Sequence, residues 1–199
     1  MKNQLLILLL CSFTYCSFGQ IKESQAIDSI FSEWNKPDVP GCALGIIKDG
    51  KLIYSKGYGS ADLEHDVEIT TSSVFGTGSI SKHIVAFSIL LLEEQGKLSL
   101  EDNIQKFLTD FPEYDSPITI RHLLHHTDGI RDYGSLKYFS GISDLNYTDS
   151  DLVYELMKRQ KELNCVPGEE YIYGNSGHFL LARIVKKASG QSIRVFAQK

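Results

Sequence analysis

The chain has 199 residues, of which 42% are hydrophobic and 11% aromatic, a composition that suits one globular domain and excludes intrinsic disorder. Its 20 basic and 25 acidic side chains give a net charge of -5. The basic residues form no cluster or stripe, which argues against a nucleic-acid or anionic-membrane partner.

Residues 1–19 have the pattern of a secretory signal peptide. Lys2 is their only charge, an apolar run follows from Leu5 to Leu10, and Ser17-Phe18-Gly19 offers small residues to a signal peptidase. We therefore expect cleavage before Gln20 and a secreted or periplasmic protein. The apolar run is shorter than the roughly 20 residues that span a bilayer. An uncleaved anchor and a lipoprotein attached at Cys16 are the alternatives.

Residues 20–66 are predicted to form one helix and the first strands of a sheet. Two apolar runs, Cys42 to Ile47 and Lys51 to Tyr58, flank Asp49-Gly50, which predicts a hairpin because Gly tolerates the positive φ of a tight turn. Ala43 to Ile47 is apolar at successive positions, so we expect this strand to be covered on both faces. The preceding helix is indicated by apolar residues spaced i, i+3, i+4 and i+7 before Pro37: Ile27, Ile30, Phe31 and Trp34.

Residues 67–199 are predicted to be a helical region. The segment from Ser79 to Gln95 is apolar nearly all round, so we expect a helix buried at the centre of its domain, with Gly96 as its C-terminal cap. The predicted elements thus include many helices but only one hairpin, and two strands cannot by themselves make a covered sheet. Further helices are predicted at residues 102–107, 119–125, 149–160 and 177–188.

Two cysteines follow the predicted signal peptide, Cys42 and Cys165. Export would permit a disulfide between them. Because Cys42 lies in an apolar strand, a buried free thiol is the favoured interpretation.

Ser79-Ile80-Ser81-Lys82 places a hydroxyl and an amine one helical turn apart. Burial and the positive field of a helix N-terminus both favour a neutral Lys82 amine, which can accept the proton of Ser79. The alternative is an N-terminal capping serine with a chance lysine one turn later.

Tyr173-Gly174-Asn175 forms a second candidate motif on the loop that follows Pro167-Gly168. A tyrosine oxygen near a serine–lysine pair can relay a proton to a leaving group, and an asparagine side chain can donate to a substrate carbonyl. The alternative is a turn with an aromatic ring packed beneath it.

Four segments follow one another along the chain: FGTGSISK at 75–82, GKLSLED at 96–102, ITIRHLLHHTDG at 118–129 and PGEEYIYGNSG at 167–177. In this order they resemble the β-lactamase/penicillin-binding-protein family, which includes class C β-lactamases, D-alanyl-D-alanine carboxypeptidases and related esterases. The third segment is similar to the family stretch ITIRHLLTHTSG, and the resemblance runs from about Ile27 to the end of the chain.

The resemblance implies a β-lactamase/transpeptidase-like fold that is α/β plus all-α, with an antiparallel sheet flanked by helices and a helical domain, incomplete at the C-terminus. It also implies a serine hydrolase in which Ser79 is acylated by a peptide, β-lactam or ester. In such a mechanism Lys82 and Tyr173 share the acid and base work, Asn175 orients the acyl group, and the Ser79 N–H supplies half of the oxyanion hole. No metal or cofactor is implied, and the substrate choice and oligomeric state are left open.

Three histidines offer a metal site as an alternative chemistry. His122, His125 and His126 fall at i, i+3 and i+4, a spacing that can place zinc ligands on one helical face. No carboxylate or distant histidine completes the set by its position in the sequence. Gly76 and Gly78 with Lys82 fit neither phosphate-loop pattern.

The family's third motif, Lys-Thr-Gly or His-x-Gly, normally follows the Tyr-x-Asn segment, and residues 174–199 contain neither pattern. Lys48-Asp49-Gly50 precedes Ser79 and forms the predicted hairpin turn instead. We therefore expect this chain to represent the N-terminal portion of the family domain, to be poorly stable or prone to aggregate, and to be weakly active at best. The rival interpretation is a non-catalytic remnant or binding module.

Overall fold

The computed structural model describes residues 23–142 and 149–198, so the predicted signal peptide lies outside the described residues. The contacts of the chain divide it into two compact units, one ending at Gly76 and the other beginning at Thr77. Each unit is built around its own elements, and the residues of the candidate site all belong to the second unit.

The first unit begins with helix α1, Ser24–Ile30, which is shorter than the apolar pattern predicts. Turns replace the helix after Ile30, and Trp34 remains 48% exposed. The Phe31 ring stacks on Tyr58 with their centroids 4.8 Å apart. The apolar spacing therefore marks residues that pack on the hairpin, although part of the segment is turn.

The predicted hairpin is confirmed. Strands β1, Cys42–Lys48, and β2, Lys51–Tyr58, pair antiparallel around Asp49 and Gly50, whose φ angles are +50° and +72°. Both turn residues thus have the positive φ that a type I′ turn requires. Strands β3, Ser60–Asp62, and β4, Val67–Glu68, form a second two-stranded antiparallel sheet.

The prediction that β1 is covered on both faces is wrong. Burial alternates along the strand, and Ile47 is 71% exposed. Successive side chains of a strand point to opposite faces. In the part of the chain that the structure describes, only one face of the two-stranded sheet is packed, so the apolar residues of the other face remain exposed.

The second unit is helical, with short 3₁₀ turns at Gly78–Ile80 and Ile104–Lys106, the latter in place of the helix predicted at 102–107. The predicted start of the helical region at residue 67 is too early, because strand β4, Val67–Glu68, still belongs to the first unit. Helices α2 and α6 pack against each other at its centre, burying Ile89, Leu92 and Leu181 completely. The α-helices are α2, Ser81–Glu94; α3, Ile120–His125; α4, Tyr133–Phe139; α5, Ser150–Lys158; α6, Ser176–Ser189; and α7, Ile193–Phe196.

Helix α2 is only half buried, so the prediction that it is surrounded on all sides is wrong. Its buried residues are Ser88, Ile89 and Leu92. Ile84 is 47% exposed and Phe87 is 63% exposed, because the described residues, chiefly those of α6, cover only part of the surface of the helix. The predicted cap is confirmed, since Gly96 has φ +67° and the Lys97 N–H donates to the Leu92 carbonyl.

Both Cys42 and Cys165 are free and half-buried. The Cys42 thiol is therefore free, as the sequence favours, but it is half-buried rather than buried. Among residues 23–142 and 149–198, no helix has the length and apolarity that crossing a membrane requires.

Candidate active site

The hydroxyl of Ser79 is displayed on the 3₁₀ turn that leads into α2. Gly78 has φ +52°, a left-handed conformation that Gly adopts without a Cβ clash, and the Ser81 hydroxyl donates to the Gly78 carbonyl over 2.7 Å. The capping positions of the turn and of α2 are Thr77 and Ile80. Ser79 is therefore not a helix cap, and its exposed hydroxyl is available for other contacts.

Lys82 lies one turn after Ser79 and contacts every other member of the predicted set. Its Nζ donates to Ser79 Oγ over 3.2 Å and to Asn175 Oδ1 over 2.8 Å. The same nitrogen lies 4.9 Å from the centroid of the Tyr173 ring. The amine thus links the two motifs that the sequence places far apart.

The Tyr173 hydroxyl lies 2.8 Å from Ser79 Oγ. The neighbouring Lys82 amine, and after it the hydrogen bond with Ser79, lower the pKa of Tyr173 below its usual value of 10.0. The phenol is half exposed, so burial opposes this shift only weakly. Ser79, Lys82, Tyr173 and Asn175 therefore form one hydrogen-bonded group, with a tyrosine whose anion is stabilised.

His126 fixes the backbone of the Tyr173 loop. It ends α3 in the left-handed region, with φ +57°, and its carbonyl accepts the Ile172 N–H over 2.9 Å. Its Nδ1 accepts the Gly174 N–H over 3.4 Å, and its ring lies 4.7 Å from that of Tyr173. In the sequence this histidine is a metal candidate and also part of the family-like segment 118–129; the structure shows it supporting the loop.

Asp132 is a contact residue that the sequence does not single out. Its Oδ2 accepts the Asn175 N–H over 2.5 Å, and its Oδ1 accepts the Gly134 N–H over 3.0 Å as the N-terminal cap of α4. The following residue of the motif segment, Ser176, accepts the Tyr133 N–H and donates to the Arg131 carbonyl. An Asp before a helix is a capping signal in a sequence. The contact between Asp132 and Asn175 has no such signal, because the two residues are 43 positions apart.

A cleft of about 440 Å³ opens over the serine, lined among others by Ser79, Lys82, Tyr133, Asn175 and His178. His178 is buried and stacks on His126, with the ring centroids 4.8 Å apart. Burial lowers the pKa of His178 to about 4, so the ring is neutral at pH 7. His178 therefore adds no positive charge to the cleft beside that of Lys82.

Two of the three histidines considered as zinc ligands, His122 and His126, have structural contacts. His122 is the third residue of α3 and completes a capping box: Thr119 Oγ1 accepts the His122 N–H, and His122 Nδ1 accepts the Thr119 N–H. Within residues 23–142 and 149–198, no three His, Cys, Asp or Glu side chains are grouped so as to hold a metal ion.

Comparison with known proteins identifies the family. The family model described as Beta-lactamase matches residues 27–199, so the chain belongs to the β-lactamase and penicillin-binding-protein family. The chain is similar to penicillin-binding protein 4* of Bacillus subtilis (strain 168), with 37% identity over 147 residues, which cover 74% of this chain and 32% of that protein.

Solved structures share the fold. The octameric penicillin-binding protein homologue from Pyrococcus abyssi matches with a TM-score of 0.70 and 29% identity, covering 89% of this chain and 42% of that one. FmtA from Staphylococcus aureus matches with a TM-score of 0.73 and 23% identity, covering 88% and 46% respectively. The β-lactamase/transpeptidase-like fold is thereby confirmed, and the chain spans from about a third to less than half of these proteins' lengths.

Proposed function

We propose that the protein is a serine hydrolase that forms an acyl-enzyme on Ser79. The observation that carries this proposal is the pair of hydrogen bonds at Ser79 Oγ, one from Lys82 Nζ at 3.2 Å and one with Tyr173 Oη at 2.8 Å. A serine hydroxyl is a weak nucleophile until a neighbouring base takes its proton. Two groups able to do so lie within hydrogen-bond reach.

The acylation step can be written with these residues. Ser79 Oγ bonds to the carbonyl carbon, and its proton passes to the Tyr173–Lys82 pair as the carbonyl oxygen becomes an oxyanion. The same pair returns the proton to the leaving nitrogen or oxygen as the bond from carbon to that atom breaks. The oxygen of a water molecule then bonds to the acyl carbon and gives a proton to the pair. The pair passes this proton to Ser79 Oγ as the bond from that oxygen to the acyl carbon breaks and the carboxylic acid leaves.

Asn175 is assigned the task of orienting the bound acyl group and the Lys82 amine. Its Oδ1 accepts from Lys82, which leaves the Nδ2 hydrogens to donate to a substrate carbonyl in the cleft. The Ser79 N–H supplies one oxyanion donor. Losing a single oxyanion donor typically costs about 100- to 1000-fold in rate, so the placement of the Ser79 N–H is an essential part of the proposed site.

The substrate class is an amide, β-lactam or ester carbonyl compound, including peptides. The likeness to a penicillin-binding protein supports testing a β-lactam first. Exposed Ser79 lines the cleft, so a carbonyl compound bound there would lie against the serine hydroxyl. Export through residues 1–19 is part of the proposal, and a mature N-terminus at Gln20 would support it.

The proposal is tested by incubating residues 20–199 with a fluorescent penicillin and with a fluorophosphonate. We expect Ser79→Ala to abolish labelling and Ser81→Ala to retain it, because the Ser81 hydroxyl donates to the Gly78 carbonyl rather than joining the reactive group. Labelling by the fluorophosphonate alone would indicate a hydrolase that does not accept penicillin. A folded wild-type chain that takes neither label would favour the binding-module interpretation.

A further inference from the structure

Asp132 connects two segments of the second unit through two separate oxygens. One oxygen accepts the Gly134 N–H at the start of α4, and the other accepts the Asn175 N–H, with distances of 3.0 and 2.5 Å. A carboxylate is acceptor-only and can serve both donors, and hydrogen bonds to an ionised acceptor are shorter and stronger than neutral ones. An asparagine at position 132 has only one acceptor oxygen, so its NH₂ group would face one of the two N–H groups and leave that group without an acceptor.

A second link ties the same two segments together. Ser176 Oγ accepts the Tyr133 N–H over 2.9 Å and donates to the Arg131 carbonyl over 2.8 Å. Residues 131–133 are therefore bonded to residues 175–176 at three points. Of these three contacts, only the one from Asp132 reaches the backbone of Asn175 itself.

The side chain of Asn175 depends on that backbone contact. Asn175 precedes α6 and has no side-chain capping bond of its own, because its Oδ1 accepts from Lys82 Nζ over 2.8 Å. Fixing the Asn175 N–H fixes the Cα and hence the reach of Oδ1 towards Lys82. A shift of about 1 Å in such a group can cost about 100-fold in rate.

We propose that Asp132 is a positioning residue for the Ser79 reaction, holding Asn175 and through it Lys82 in register with the serine. This inference rests on the proposed function. Asp132 touches none of the reacting atoms in the mechanism above, so its effect passes through Asn175 and through its negative charge. That charge raises the pKa of Tyr173, opposing the larger lowering by Lys82 and Ser79.

The test compares Asp132→Asn with wild type in residues 20–199. Asn remains a good helix cap, so the Gly134 contact is kept while the Asn175 N–H loses its acceptor. Asp149→Asn is the matched control, because Asp149 caps α5 through the Asp151 N–H and is not part of the Ser79 group. The readouts are the rate of fluorophosphonate labelling against pH and the position of the Asn175 amide proton in a ¹H–¹⁵N spectrum.

We expect Asp132→Asn to label about 10- to 100-fold more slowly, with its rise in rate moved to lower pH because the negative charge near Tyr173 is gone. The Asn175 amide proton should move upfield, and Asp149→Asn should match wild type in all three respects. A slower rate with an unmoved pH midpoint and an unmoved amide would show a merely structural role and overturn the inference. Wild-type behaviour of Asp132→Asn would overturn it too. An unlabelled wild type would instead contradict the proposed function, and the inference with it.

Discussion

The hydroxyls of Ser79 and Tyr173 lie 2.8 Å apart although 94 positions separate the two residues. One sits on the turn before α2 and the other on the loop before α6, and the packing of those two helices brings the motifs together. The core of the second unit, rather than any local feature, therefore brings the four side chains of the candidate site together.

Lys82→Met should move the pH dependence of Ser79 labelling to higher pH. The neighbouring Lys82 amine is the largest cause of the lowered pKa of Tyr173, and its positive charge contributes to the lowering. Without them the phenol pKa returns towards 10.0, so less phenolate is present at neutral pH and the rate rises later. Stopped-time labelling across pH 6 to about 10 measures this. Lys97→Met, a change at an exposed lysine, should leave the profile in place; an unshifted profile in Lys82→Met would contradict the assigned role.

Asp128→Asn should stabilise the protein above pH 6. Asp128 is 6% exposed, and burial raises its pKa from 3.8 to about 6. Between pH 3.8 and about 6, the Asp128 carboxyl is protonated in the folded state but ionised in the unfolded state. The contribution of Asp128 to the free energy of unfolding therefore falls as the pH rises through this range. The shift corresponds to a penalty of up to about 3 kcal/mol at pH 7. The family stretch has Ser at this position, which carries no such charge.

Urea denaturation at pH 4 and pH 7 measures the effect. The advantage of Asp128→Asn should be absent near pH 4 and full at pH 7, and the amide oxygen can still accept the Ile130 N–H that Asp128 accepts over 2.8 Å. Asp115→Asn, at an exposed position, serves as the control. Equal stability of Asp128→Asn and wild type at pH 7 would show that the buried carboxylate has no such cost.

Phe87→Ser should improve the solubility of the isolated chain without lowering its stability. Phe87 is 63% exposed on the outer face of α2, next to exposed Ile84, and such apolar surface promotes association. Leu92→Ser on the same helix removes a fully buried side chain and should cost about 2–5 kcal/mol. Sedimentation velocity and thermal melting separate the two effects. A monomeric wild-type chain with a cooperative melt at high temperature would contradict the expected aggregation.

The sequence predicts the elements whose signals are local. Asp49-Gly50 requires positive φ, and Thr119 caps α3 through its own side chain, so the hairpin and this helix are found where expected. Strands β3 and β4 have three and two residues, too short for an alternating pattern. Helix α4 is missed because Tyr133–Phe139 holds a glycine and little apolar periodicity.

Long-range packing limits what the sequence can predict of the site. The motifs give the residue types of Ser79, Lys82, Tyr173 and Asn175, while their mutual distances depend on the contact between α2 and α6. The exposure of α2 likewise depends on which other elements pack against it, and the hydrophobicity of its own residues does not specify those elements. Asp132 escapes detection because its decisive partner is 43 positions away.

The central claim is that the Ser79 hydroxyl is selectively activated, and mass-spectrometric mapping of the fluorophosphonate adduct tests it most directly. After treatment of residues 20–199 and digestion, tandem spectra should place a single adduct on Ser79 and none on Ser81, two residues away at the start of α2. An adduct spread over several serines, or confined to a residue other than Ser79, would contradict the account.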